Sequence, residues 1–291
     1  MNDSTLPKLN LALGGGGARG LAHIGVLKVL ESAGLPIGFL AGTSMGGLIG
    51  ALFAAGWTAQ QLEAEALAMS SFRRLVKLVD LAPARRGLLE GQGVREQLNE
   101  MLGEDLTFDQ LQKKLALIAV DLYTAQEVIL RQGSVVEAVL ATTAVPGLLP
   151  PVYSGNCQLV DGGILNNVPA DVARADGNGP VIAVDVSPTF PLQPPGSTDN
   201  TDKLWPAIFP QFAQDFYTAQ LIMVSALTSA RLLQTPPDLL IKPPIPPNIS
   251  IFWGLTRAPE AIAAGEQAAL EALPAIETLL NSYAEPNPLA Y

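Results

Sequence analysis

Ser44 lies in Gly42-Thr43-Ser44-Met45-Gly46, a G-x-S-x-G run set between the apolar stretch Ile37 to Ala41 and the small, apolar stretch Leu48 to Ala55. A strand, a sharp turn bearing a serine and the helix after it look like this in sequence, and a serine on such a turn is a candidate nucleophile for acyl transfer. Gly42 and Gly46 suit a strained turn because they bring no side chain into it. The chain has 27 glycines, so three fixed positions recur by chance and the pentapeptide alone reads first as a structural turn.

Support comes from upstream. Lys8 to Leu13 reads as a strand that runs into Gly14-Gly15-Gly16-Gly17-Ala18-Arg19-Gly20, followed by the helical pattern Leu21, Ile24, Leu27, Leu30 and a stop at Gly34-Leu35-Pro36. Bare backbone at a helix N-terminus offers unshielded N–H groups and partial positive charge, which suits an anion or a developing oxyanion. Gly15, Gly17 and Gly20 also satisfy the dinucleotide fingerprint G-x-G-x-x-G. That motif wants an acidic residue at the end of the next strand, and no Asp or Glu lies between Glu31 and Glu63. A P-loop is excluded because no Gly-Lys-Ser/Thr follows. A loop that merely lets helix and sheet pack closely stays open.

Gln158-Leu159-Val160-Asp161-Gly162-Gly163 delivers an aspartate onto a glycine turn. Asp-Gly is ordinary turn chemistry by itself. The chain has one histidine, His23, just beyond the glycine loop, so a Ser-His-Asp triad has a single candidate base. In α/β-hydrolases the histidine comes last in chain order, so His23 reads as a partly buried helix residue. Without histidine, a carboxylate must take the serine proton directly, as in a Ser-Asp dyad.

Taken in order, Gly15-Gly16-Gly17-Ala18-Arg19-Gly20, Gly42-Thr43-Ser44-Met45-Gly46 and Asp161-Gly162-Gly163 resemble the three signature blocks of the patatin-like phospholipase family. Ala144-Val145-Pro146-Gly147 running to Pro150-Pro151-Val152 is similar to the proline-rich segment that family carries before its aspartate. The resemblance runs from about Lys8 to about Leu280. One departure is that Leu140 and Thr142-Thr143 stand where members often have an arginine and serines. The resemblance implies a lipid acyl hydrolase working through Ser44 and Asp161, with glycine-loop amides stabilising the oxyanion, Arg19 orienting that loop, and neither metal nor cofactor. A carboxylate near pKa ~3.9 takes a hydroxyl proton poorly, so Asp161 is expected to be partly buried. Arg19 as a surface helix charge is the alternative for that residue. For the whole chain the alternatives are a non-catalytic anion- or lipid-binding regulatory protein and a soluble short-chain esterase.

The elements that must position these residues follow from periodicity. Leu115 to Val120, Glu127 to Leu130, Val181 to Val186 and Leu239 to Lys242 read as strands. Val135 to Thr142, a segment starting near Pro169, Gln211 to Leu233 and the alanine-rich Pro259 to Leu280 read as helices. This rhythm predicts an α/β fold with a mostly parallel central sheet and helices on both faces, a three-layer α/β/α arrangement. A single domain over 1–291 is expected, with a core about 8–186, a Pro-rich loop about 187–210 and a C-terminal portion about 211–291. Ile37 to Trp57 is uncharged and about as long as a membrane span. Its glycines and Pro36 divide it instead into strand, turn and helix.

With 48% hydrophobic residues the chain can bury a substantial core without disulfides or metals. A net charge of −10 and a pI near 4.6 argue against nucleic acid as a partner. Cys157 is the only cysteine and no basic, apolar leader opens the sequence, so a cytoplasmic location is the default expectation. Basic residues mix with apolar ones at Phe72-Arg73-Arg74-Leu75-Val76-Lys77 and Arg85-Arg86. Residues 70–89 are therefore a candidate lipid-surface contact, with a solvated helix and loop as the alternative.

Overall fold

A computed structural model of the chain describes residues 7–70, 91–189, 211–249 and 254–284. At its centre β1 (Leu9–Leu13) is buried along its whole length and runs parallel to both β2 (Ile37–Thr43) and β7 (Val181–Val184). Parallel strands covered on both faces need apolar residues at nearly every position, which is how these segments read. β2 pairs in parallel with β3 (Lys114–Asp121), and β7 with β8 (Leu239–Ile241). Three antiparallel strands complete an eight-stranded sheet: β4 (Gln126–Leu130) and β6 (Cys157–Asp161) against β3, and β5 (Val152–Ser154) against β6.

Helices cover both faces. Leu9, Leu11 and Leu13 point to a layer containing α1 (Ala22–Ser32), α2 (Ser44–Ala54), α3 (Ala59–Met69), α4 (Gln92–Leu102), α5 (Val135–Thr142) and α8 (Ala258–Ala284). Ala12, Phe39 and Ile118 point the other way, against α6 (Ala170–Asp176) and Leu232 of α7 (Gln211–Gln234). The three-layer α/β/α architecture expected from the sequence is present.

Small residues decide the tightest contacts. α2 presses on the sheet at Gly46, where a Cβ would run into the carbonyl of Leu13 and lie 2.6 Å from that of Gly14. α1 and α8 cross backbone to backbone at Gly25 and Gly265: a Cβ on Gly25 would lie 2.5 Å from Glu266 N, and one on Gly265 would strike Ala22 O.

Register brings the two halves of the site together. β4 occupies one edge of β3 from Leu117 to Asp121. On the opposite edge β2 ends with Thr43 paired to Ile118, and β6 takes over with Asp161 paired to Ala119. The C-terminal ends of β2 and β6 therefore meet on adjacent rungs of β3, placing Ser44 beside Asp161.

The helix after the glycine loop begins as a 3-10 turn, Gly17–Leu21, before becoming α-helical at Ala22. Ile37 to Trp57 divides into β2 and α2 as expected. Among the described residues one helix, Gln214–Gln234, is long and apolar enough to cross a membrane, and only 6% of its apolar window is buried. The sequence reading expected a long helix there, Gln211 to Leu233, and no transmembrane segment in the chain. The candidate lipid contact at 70–89 falls, beyond Ser70, outside the described residues, as does the Pro-rich loop beyond Thr189.

Candidate active site

Ser44 is the first residue of α2 and has φ +53°, a left-handed backbone that costs a non-glycine residue roughly 1–3 kcal/mol. Three hydroxyl-mediated bonds hold it there. Ser44 N–H donates to Thr142 Oγ1 at 3.0 Å, the Thr142 hydroxyl donates to Ile118 O at 2.5 Å, and the Thr43 hydroxyl donates to Asn166 O at 2.8 Å. The strain thus sits on the serine itself, while Gly46 provides room for the helix to approach.

The Asp161 carboxylate lies beside the Ser44 side chain and accepts, through Oδ1, a hydrogen bond from Gly163 N–H at 2.8 Å. Burial lifts its pKa from 3.8 to about 6, and the neighbouring Ser44 hydroxyl and Gly163 N–H oppose that rise. Asp161 is thus ionised at neutral pH yet a far better proton acceptor than an exposed aspartate. Gly162 follows closely against Ile118 O, where a side chain would not fit.

The glycine loop arches over the serine. A Cβ on Gly15 would lie 3.1 Å from Ser44 Cβ. Gly14 N–H donates to Val184 O and Gly15 N–H to Asn167 O, each at 3.0 Å, so the Gly15 amide is already engaged. Gly16 and Gly17, with Gly17 at φ +54°, open the 3-10 turn, and a helix start leaves such amides without an intrahelical carbonyl. Gly20 makes room for Met45, whose Cγ would lie 2.5 Å from a Cβ there.

Arg19 is buried: Nε donates to Val186 O at 2.8 Å and Nη1 to Ile249 O at 3.3 Å. Desolvation draws its pKa down to about 10, against the pull of Asp185, so it stays charged. It ties the glycine loop to two distant segments and is not a surface charge. His23 is wholly buried and not partly buried as expected. Burial lowers its pKa to about 4, so it is neutral, and its Nε2–H donates to Gly14 O at 2.7 Å. That bond makes His23 a support of the loop.

Sequence reasoning passed over Asn166 and Asn167, which follow the Asp161 turn and bind both other blocks. Thr142 it noted only as a departure. Leu140 is core, and the Thr143 hydroxyl donates to Val139 O at 2.7 Å within its own helix. A cavity of about 350 Å³, lined by Leu122, Pro146, Gly147, Leu149, Pro151, Gln158 and Val160, lies beside β6. Gln158 and Val160 alternate with Asp161 along that strand, so the cavity opens on the opposite face from the carboxylate. Among the described residues no group of His, Cys, Asp and Glu is gathered to hold a metal ion.

A family model described as Patatin-like phospholipase matches residues 11–174, more than half of the chain and all three blocks. The chain belongs to the patatin-like phospholipase family. Among its relatives, an uncharacterized NTE family protein of Mycobacterium tuberculosis is 41% identical over 182 residues, covering 62% of this chain and 31% of that protein. Human patatin-like phospholipase domain-containing protein 6 is 36% identical over 198 residues, 66% of this chain and 14% of its own length. The chain thus spans less than a third of these relatives. Among solved structures, human GIVD cytosolic phospholipase A2 gives a TM-score of 0.48 at 10% identity, covering 98% of this chain and 61% of that one. VipD from Legionella pneumophila gives 0.46 at 13% identity, covering 96% and 67%. Scores at that level leave the fold to be read from the sheet topology itself.

Proposed function

We propose that this chain is a serine-dependent lipid acyl hydrolase that cleaves carboxylic esters of phospholipids, lysophospholipids or neutral lipids. The observation that carries the reading is the placement of the strained Ser44 beside the buried Asp161 carboxylate, at the adjacent ends of β2 and β6. Membership of the patatin-like phospholipase family supports an acyl lipid as the ester.

In the proposed cycle Asp161 takes the Ser44 proton as Oγ attacks the ester carbonyl carbon. Negative charge develops on the carbonyl oxygen, which the Gly16 and Gly17 N–H groups stabilise. The alcohol leaves with the proton held by Asp161, and an acyl-serine remains. A water then gives a proton to Asp161 and attacks the acyl carbon; Ser44 recovers that proton as the fatty acid departs. His23, neutral and committed to Gly14 O, has no part in proton transfer.

Hydrolysis of acyl esters of increasing chain length, with dispersed lysophospholipid alongside, tests the reading. Rates rising towards long chains are expected. Rates that peak on short chains would favour the short-chain esterase, and absence of turnover in folded protein would favour a non-catalytic lipid-binding role.

A further inference from the structure

Resting on that reading of Ser44 and the glycine loop, we propose that Asn167 is the positioning residue that aims the Gly16 N–H at the oxyanion. Asn167 is buried and grips Gly15 from both sides. Its backbone carbonyl accepts Gly15 N–H at 3.0 Å, while its side-chain Nδ2 donates to Gly15 O at 3.2 Å and to Ser187 Oγ at 3.1 Å. The segment that carries Asp161 thus also fixes the strand-to-loop exit beside Ser44.

Peptide planarity transmits this grip to the next amide. The C=O of Gly15 and the N–H of Gly16 share one trans plane and point to opposite sides, so a bond that fixes the carbonyl fixes the N–H. The neighbouring planes are pinned by other groups. Gly14 O, in the plane of Gly15 N–H, accepts from His23 Nε2 at 2.7 Å, and Gly16 O, in the plane of Gly17 N–H, accepts from Arg19 N–H at 3.1 Å. Only the Asn167 carboxamide holds the middle plane from the carbonyl side among the described residues. Glycines have little steric preference of their own, so without that bond the plane is free to turn. Asn167 exchanges no proton and meets no reacting atom in the proposed cycle; it acts through the Gly16 amide.

Asn167→Asp and Asn167→Ala test this on the full chain with a long-chain acyl ester. The aspartate keeps the shape and loses the N–H donor. Both variants are expected to lower kcat about 10-fold to 100-fold, short of losing an oxyanion donor outright, with KM within about twofold. Phosphonylation of Ser44 should slow in parallel, and Asn167→Asp should be at least as slow as Asn167→Ala. Asn167→Ser, too short to reach Gly15 O, should show the same loss and replaces the aspartate variant if that one does not fold. Wild-type kcat in Asn167→Asp or Asn167→Ser would overturn the proposal, since space-filling would then be the whole role, as would a change confined to KM. Failure of the hydrolase reading is a different result: wild-type protein that neither turns over ester nor labels at Ser44.

Discussion

Asp161 is where the chemistry and the stability of this molecule pull in opposite directions. With its pKa raised to about 6, the carboxylate is a poor base below that pH and a competent one above it. The rate constant kcat/KM should fall about tenfold per pH unit on the acid side of 6 and level off above it. The stability sign is the reverse. The folded state holds this proton more tightly than the unfolded chain, so the contribution is fully present below 3.8 and is lost as pH rises through about 6. By pH 8 the ionised carboxylate costs on the order of 3 kcal/mol, the equivalent of the rise from 3.8 to about 6. Asp161→Asn, which can keep the acceptor for Gly163 N–H, should therefore melt above wild type at pH 8 and close to it at pH 4, while losing roughly 1000-fold or more in turnover. Thermal melts at the two pH values check this; an Asp161→Asn protein no more stable at pH 8 than wild type would mean that the carboxylate is not desolvated.

At the scale of elements, α5 serves the elbow through one hydroxyl. Thr142 Oγ1 takes the Ser44 N–H and returns its own proton to Ile118 O on β3, so helix, turn and sheet are joined at a point inside the protein. Thr142→Val is nearly isosteric and leaves a buried donor and a buried acceptor unpaired, which should cost about 1–3 kcal/mol and reduce kcat. Thr142→Ser keeps the hydroxyl and should restore both; denaturant unfolding and turnover of the pair decide it. Thr142 was visible in the sequence as an oddity only, because a polar residue at a helix end carries no periodic signal and its partners are remote in the chain. The strand, glycine loop, helix and elbow were legible because apolar period and glycine position are local properties. What local pattern omits is the edge on which strands meet: the pairing of Asp161 with Ala119, one rung beyond Thr43 with Ile118, comes from three separate strands. The same holds for the Gly15 amide, which chain order offered as an oxyanion donor and which Asn167 O occupies.

At the scale of the whole molecule, the recognisable family match stops at residue 174, yet the core does not. Ala258, Ala261, Ile262, Ala269 and Ile276 of α8 are buried in the same cluster as β1 and α1. Lys28 on α1 forms ion pairs with Glu63 on α3 and Glu266 on α8, tying the three helices along their rims. The contact is closest at Gly265, where any side chain would strike the Ala22 backbone. Gly265→Leu should therefore destabilise the entire fold by several kcal/mol, as overpacking against backbone does, and depress activity only through unfolding. Leu270→Ala on the exposed side of the same helix should be close to neutral. Chemical denaturation followed by two probes would reveal a separate C-terminal unit, if there were one, as a second transition.

The central claim is that Ser44 is a nucleophile switched on by Asp161. The most direct test is the rate of labelling by a serine-reactive fluorophosphonate as a function of pH, for wild type beside Ser44→Ala and Asp161→Asn. The expected result is labelling that vanishes in Ser44→Ala, rises through an apparent pKa near 6 in wild type and is slow and pH-independent in Asp161→Asn. Labelling that survives in Ser44→Ala, or that is as fast in Asp161→Asn as in wild type, would contradict it.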